Sequence, residues 1–199
     1  MSKIERVILA SQSPRRVALL KQMGLDCLVM PADIDETAYV NELPADYVLR
    51  LAEQKALATL KKLNGQHADL PVLAADTTVA LGMEILGKPD NDADAVNMLK
   101  KLSGNTHEVH TAVAVAFNGR LDKVLNTTLV QMMPLTDAMI AAYIATGEHR
   151  DKAGSYAIQG LAGNWIKRIE GSYTGVMGLP VHETAMLLDG ICRIKKDYS

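Results

Sequence analysis

The chain has 199 residues, 48% hydrophobic and 22% charged, and its 21 Lys and Arg against 23 Asp and Glu leave a net charge of -2. That composition excludes a disordered or fibrous chain, and the charge balance excludes bulk binding to duplex nucleic acid or an anionic membrane. Two cysteines, Cys27 and Cys192, with no CxxC and no zinc spacing, exclude a disulfide scaffold and fit a reducing cytoplasm. No apolar run approaches the roughly 20 residues of a membrane span, and residues 7–10 are too short for a signal peptide's apolar region. Scarce aromatics argue against a stacking platform for single strands. Without repeats, low-complexity tracts or linkers, residues 1–199 read as one domain.

In chain order, residues 7–10 read as a short buried strand broken by Ser11-Gln12-Ser13-Pro14. Pro14 suits the first turn of a helix with Ser13 as N-cap, and Gly24 stops that helix. A second strand is expected over 25–30, an acidic loop over 33–37 and an amphipathic helix over 46–63. Residues 72–75 form an apolar strand bounded by Pro71 and Asp76, and 78–81 pairs with 84–86 across Gly82-Met83. A helix over 92–102 ends at Ser103-Gly104. Residues 107–117 and 121–133 bracket Asn118-Gly119, the strongest short hairpin signal in the chain. Thr136 caps a helix to residue 145, residues 156–169 read as short strands broken by glycines, and Gly178-Leu179-Pro180 opens a final helix to residue 188. Helices interleaved with strands and hairpins predict an α/β fold, its mixed central sheet flanked by helices.

Several constellations carry possible chemistry. Ser11-Gln12-Ser13-Pro14-Arg15-Arg16 joins a strand end to a helix start. Free N–H groups, the Ser11 and Ser13 hydroxyls and two guanidinium groups there suit phosphate, or else cap a helix with two solvated arginines. Neighbouring helical residues point about 100° apart, so Arg15 and Arg16 have different jobs. Asp76, ending an apolar strand, is a candidate base or metal ligand, or a hydrogen-bonded turn residue. Lys55 falls about 20° from Val48 on a helical wheel, inside the apolar stripe, where a lysine snorkels or enters a pocket. Asp33-Ile34-Asp35-Glu36 is a solvated acidic loop or a partner for Mg²⁺ or Mn²⁺ with substrate phosphates. Gly82 to Lys88 imitates a phosphate-binding loop, but Pro89 supplies neither the hydroxyl nor the N–H that motif needs. Lys88 still offers phosphate a point charge. Gln159, in a Gly-flanked polar segment, carries the donor and acceptor that read a base edge, and is otherwise solvated.

These segments, in this order, resemble the Maf family of nucleoside triphosphate pyrophosphatases. The likeness runs through Leu9-Ala10-Ser11-Gln12-Ser13-Pro14-Arg15-Arg16, Asp35-Glu36-Thr37, Leu51-Ala52-Glu53-Gln54-Lys55-Ala56 and Ala75-Asp76-Thr77. It continues through Gly87-Lys88-Pro89, Leu102-Ser103-Gly104, Asp151-Lys152-Ala153-Gly154, Ile158-Gln159-Gly160 and Val176-Met177-Gly178-Leu179-Pro180. The resemblance implies a fold related to the inosine triphosphate pyrophosphatases, a divalent metal, Mg or Mn, and a homodimer. It implies cleavage of a nucleoside triphosphate to the monophosphate and pyrophosphate. Asp76 takes the position of the general base. Ser11, Arg16, Glu36, Lys55 and Lys88 take those of the phosphate and metal pocket. Arg15, Thr77 and Gln159 match the branch acting on dTTP and UTP, with CTP or modified pyrimidine nucleotides as further substrates. The alternatives are a pyrophosphatase for 7-methyl-GTP or another modified nucleotide, and a non-catalytic nucleotide-binding regulator of cell division. The expected protein is a cytoplasmic housecleaning enzyme that binds neither nucleic acid polymer nor membrane.

Overall fold

The computed structural model describes residues 4–194. Seven strands form one mixed sheet: β1 (Arg6–Leu9), β2 (Asp26–Val29), β3 (Val72–Leu81), β4 (Glu84–Leu86), β5 (Thr106–Phe117), β6 (Arg120–Met132) and β7 (Ile166–Glu170). Their order is β2-β1-β3-β5-β6-β7, with β4 paired to β3. β1 runs parallel to β2 and β3, and the remaining pairings are antiparallel. The helices are α1 (Pro14–Gln22), α2 (Pro44–Leu63), α3 (Asp92–Leu102), α4 (Asp137–Ala145), α5 (Tyr173–Val176) and α6 (Val181–Ile194).

The two-residue period of β3 sorts its side chains between two layers. Val72 and Ala74 join Val48, Ala52 and Ala56 of α2 in one core cluster. Leu73 and Ala75 join Leu19 and Leu20 of α1 and Leu188 of α6 on the other face. A third cluster, with Leu99 and Leu102 of α3, Ile140 and Tyr143 of α4 and Trp165, fills the distal end. Local signals explain much of this. Asn91 and Thr136 cap α3 and α4 through their side chains. Asn118 and Gly119 both adopt positive φ, 49° and 74°, as a tight hairpin between β5 and β6 requires.

Five details differ from the sequence reading. Strand β3 continues through Asp76 to Leu81 instead of ending there, because Asp76, Thr77 and Thr78 keep antiparallel partners on β5. Ser13 occupies the N-cap position of α1, but its side chain makes no capping hydrogen bond; its N–H is donated to Ser11 Oγ at 3.2 Å. The 156–169 segment holds a 3-10 turn, Leu161–Trp165, and a single strand. Gly163 sits so close to the Ile158 carbonyl that a Cβ would lie 2.6 Å from its oxygen, a packing that short strands would not give. The short α5 was not expected, and the final helix runs on to Ile194. Among the described residues no helix is long and apolar enough to cross a membrane.

Candidate active site

On one edge, β3 pairs with β1 at Val72 and Leu73 and with β4 from Val79 onward. The stretch between has no strand partner on that edge among the described residues. The chain leaves β1 at Leu9 and turns through Ser11 into α1, so the sheet splits beside Asp76. A cleft at such a divergence is where open α/β sheets collect ligands.

Asp76 shares the parity of Val72 and Ala74, so it faces α2, where Lys55 interrupts the buried stripe. Lys55 Nζ lies 2.6 Å from Asp76 Oδ1 and 2.8 Å from Glu36 Oε1. The lysine therefore points into the site instead of reaching solvent; it is 9% exposed and Asp76 6%. Burial pushes the Asp76 carboxyl above the usual carboxylate range, against the opposing charges of Lys55 and Arg16. Burial also pushes Glu36 up, but its hydrogen bond to Lys55 and the charges of Lys55, Lys88 and Arg16 outweigh that and hold it below its ordinary value.

Thr77, of opposite parity, faces α1. Arg16 donates from Nε to the Gly178 carbonyl at 2.8 Å, from one terminal nitrogen to Ser11 Oγ at 3.1 Å and from the other to Thr77 Oγ1 at 3.2 Å. Thr111, opposite Thr77 on β5, donates its one hydroxyl proton to the Gly175 carbonyl at 2.8 Å. Its 3.0 Å contact with Thr77 is therefore donated by Thr77, whose oxygen accepts from Arg16. This directed chain fixes the guanidinium and spends the Thr77 proton inside the protein. Burial draws the Arg16 pKa down, and the Asp76 charge opposes it. Gly178, at a φ of 110°, carries the carbonyl that holds Arg16, a backbone shape that disfavours other residues.

Arg15 takes a separate direction, its Nε 3.4 Å from the Met177 carbonyl. Ser13 is half-buried at the uncapped start of α1. Lys88 and Gln159 are exposed. The structure thus forms two bonded groups, Ser11–Arg16–Thr77 and Glu36–Lys55–Asp76, coupled by the charge of Arg16 on Asp76 and Glu36. Lys88 reaches the second through its charge on Glu36. Gln159 makes no hydrogen bond or ion pair to either.

Sequence reasoning missed the strap on the Glu36 loop. Arg50 donates twice to Glu42, at 2.6 and 2.7 Å, and once to the Thr37 carbonyl at 3.1 Å. Its guanidinium also lies 3.9 Å from the centre of the Tyr39 ring. Tyr47, one turn earlier on α2, donates to the Glu36 carbonyl at 3.0 Å. The spacing of Tyr47 and Arg50 was the available signal, since residues three apart on a helix share a face.

Asp76 and Glu36 are the carboxylates that suit a divalent cation. Their oxygens already converge on a single positive charge, the Lys55 ammonium. No group of three or more His, Cys, Asp or Glu that could hold a metal occurs among the described residues. Two carboxylates match a hard ion that takes its remaining ligands from phosphate and water.

Known proteins bear on this arrangement. A dTTP/UTP pyrophosphatase of Methylobacillus flagellatus is 56% identical over 183 residues, covering 92% of this chain and 91% of its own. A nucleoside triphosphate pyrophosphatase of Haemophilus ducreyi is 49% identical, covering 92% of this chain and 94% of its own. The solved structure of the Staphylococcus aureus Ham1 protein aligns over 64% of this chain and 71% of its own, with a TM-score of 0.46 and 15% identity. The model of the Maf-like protein family matches residues 6–191, and the chain belongs to that family.

Proposed function

We propose that this protein is a nucleoside triphosphate pyrophosphatase that hydrolyses dTTP and UTP to the monophosphate and pyrophosphate. The observation that carries the reading is the buried Asp76 carboxylate, hydrogen-bonded to Lys55 beside the start of α1, where Ser11 and Arg16 gather. The names of the relatives support the same activity.

The roles follow from the chemistry of each group. Arg16, Lys55 and Lys88 neutralise the triphosphate, and Arg16 approaches as a fixed planar fork. Ser11 Oγ accepts from the Ser13 N–H and from Arg16, which leaves its proton for a phosphate oxygen. The Ser13 hydroxyl and the N–H groups opening α1 add neutral donors. Asp76 Oδ takes a proton from the attacking water as its oxygen bonds to the α-phosphorus. The bond from that phosphorus to the α–β bridging oxygen breaks, and pyrophosphate leaves with the oxygen. A higher pKa than an ordinary carboxylate makes Asp76 a stronger base. Glu36 and Asp76 would hold a Mg²⁺ or Mn²⁺ ion, which would polarise the phosphoryl oxygens when bound.

Arg15, Thr77 and Gln159 select the base in this reading. Thymine and uracil present two carbonyl acceptors and one N–H, which an arginine and an amide satisfy without an unpaired negative charge. Thr77 acts on the base indirectly, since its own proton is committed to Thr111: by fixing Arg16 it sets where the triphosphate is held. A cytoplasmic homodimer completes the proposal.

The test is Asp76→Asn, with folding checked by circular dichroism and the reaction run in ¹⁸O-labelled water. Wild type places the label in the monophosphate and the variant loses turnover. Near-normal turnover of the variant removes Asp76 as base. Label in the pyrophosphate moves the attack to the β-phosphorus.

A further inference from the structure

The Lys55 ammonium stands where a bound cation would stand. It lies 2.6 Å from Asp76 and 2.8 Å from Glu36, the two carboxylates suited to a divalent ion. Its stem sits in the buried stripe of α2 with Leu51, Ala52 and Ala56, so that only its ammonium end can change partner. The charges around it point the same way. Lys55 and Arg16 bear on both carboxylates and Lys88 on Glu36, so positive charge is in excess at the site. A lone divalent cation meets a site of its own sign whose carboxylates are already satisfied. A triphosphate with its metal remains anionic, and its phosphates offer Lys55 a new partner.

The two carboxylates also differ in freedom. Asp76 is in mid-strand with pairing to Ala112 on β5. Glu36 lies in a loop without regular structure, tied down by Tyr47 and Arg50, and its side chain is 46% exposed. Glu36 is therefore the ligand able to shift when Lys55 turns toward phosphate.

From this geometry we propose that Lys55 holds the cation's place in the free protein, so that the metal enters as its nucleotide complex and not ahead of it. The inference rests on the pyrophosphatase reading above. It makes the metal–nucleotide complex the species the site recognises. Lys55 thereby has two successive partners, the carboxylates before binding and a phosphate afterwards.

Mn²⁺ binding followed by electron paramagnetic resonance tests this without turnover. The arms are the protein alone and the protein with α,β-methylene-dUTP, each for wild type, Lys55→Met and Lys88→Met. Wild type should bind Mn²⁺ at least about tenfold more tightly with the nucleotide than without it, and Lys55→Met should gain about tenfold or more for free Mn²⁺. Lys88→Met, which removes an equal charge but not the ammonium between the carboxylates, should gain much less. Equal wild-type affinity with and without nucleotide overturns the inference and leaves the metal reading standing. An equal gain in both variants also overturns it, assigning the effect to net charge. No Mn²⁺ bound in any arm overturns the metal reading itself. Should Lys55→Met fail to fold, the wild-type arms still decide the binding order.

Discussion

His107 ties the floor of the sheet to the segment that carries Gln159, and acid should release it. Its Nε2 lies 2.7 Å from the Tyr156 hydroxyl, its Nδ1 is buried without a partner, and the residue is 2% exposed. Burial lowers its pKa from 6.5 to about 4. The folded state thus favours the neutral ring, while the unfolded chain takes a proton once pH falls below 6.5. Stability contributed by the neutral ring is complete above that value and is lost as pH falls toward 4. A gap of this size corresponds to about 3 kcal/mol over the whole window, and about 2.5 kcal/mol by pH 4.5. The perturbation is His107→Gln, which keeps a polar group for Tyr156 and removes the titration. The assay is urea unfolding of both proteins at pH 7.5 and pH 4.5. Wild type should lose about 2.5 kcal/mol more than the variant between the two conditions. Equal losses would refute the reasoning and make His107 an ordinary solvated titrating group.

Other outcomes follow from the same structure. Arg50→Lys replaces the two-pronged contact with Glu42 by a point charge and should raise protease cleavage in the Glu36 loop, with activity down about tenfold; unchanged cleavage would show that the strap does not set the loop. Gly154 has a φ of 65°, and a Cβ there would lie 2.8 Å from Val79 Cγ2, so Gly154→Ala should cost about 1–3 kcal/mol in urea unfolding. Val79→Ala in the same chain should remove the clash but not the backbone strain, restoring part of that loss. Gln159→Glu places a negative charge toward carbonyl acceptors and should lower kcat/KM for dTTP about tenfold or more. Unchanged discrimination would remove Gln159 from base selection.

The elements whose signals are local were legible in the sequence. Thr136 and Asn118-Gly119 act within a few residues of themselves, and α4 and the β5–β6 hairpin follow them. Strand β3 was cut short because Asp76 reads as a terminator. Its charge is accommodated by Lys55, 21 residues away in sequence, and nothing local announces that partner. Lys55 itself was visible as the one cation in an apolar stripe, though the stripe could not say what it faced. Arg15 and Arg16 were separable by helical geometry alone. Thr111 left no signal, and the spacing of Arg50 from Tyr47 was passed over, for the opposite reason. A threonine in a strand and an arginine on a helix are ordinary, and only the register with Thr77 and the path of the Glu36 loop give them work.

Pyrophosphate release from a panel of dTTP, UTP, CTP, GTP, ITP and 7-methyl-GTP, with Mg²⁺ and with Mn²⁺, tests the central claim most directly. The account predicts turnover of dTTP and UTP well above the purine nucleotides. Preferred turnover of 7-methyl-GTP would contradict the assignment of Arg15, Thr77 and Gln159, and tight binding with no pyrophosphate released would contradict catalysis itself.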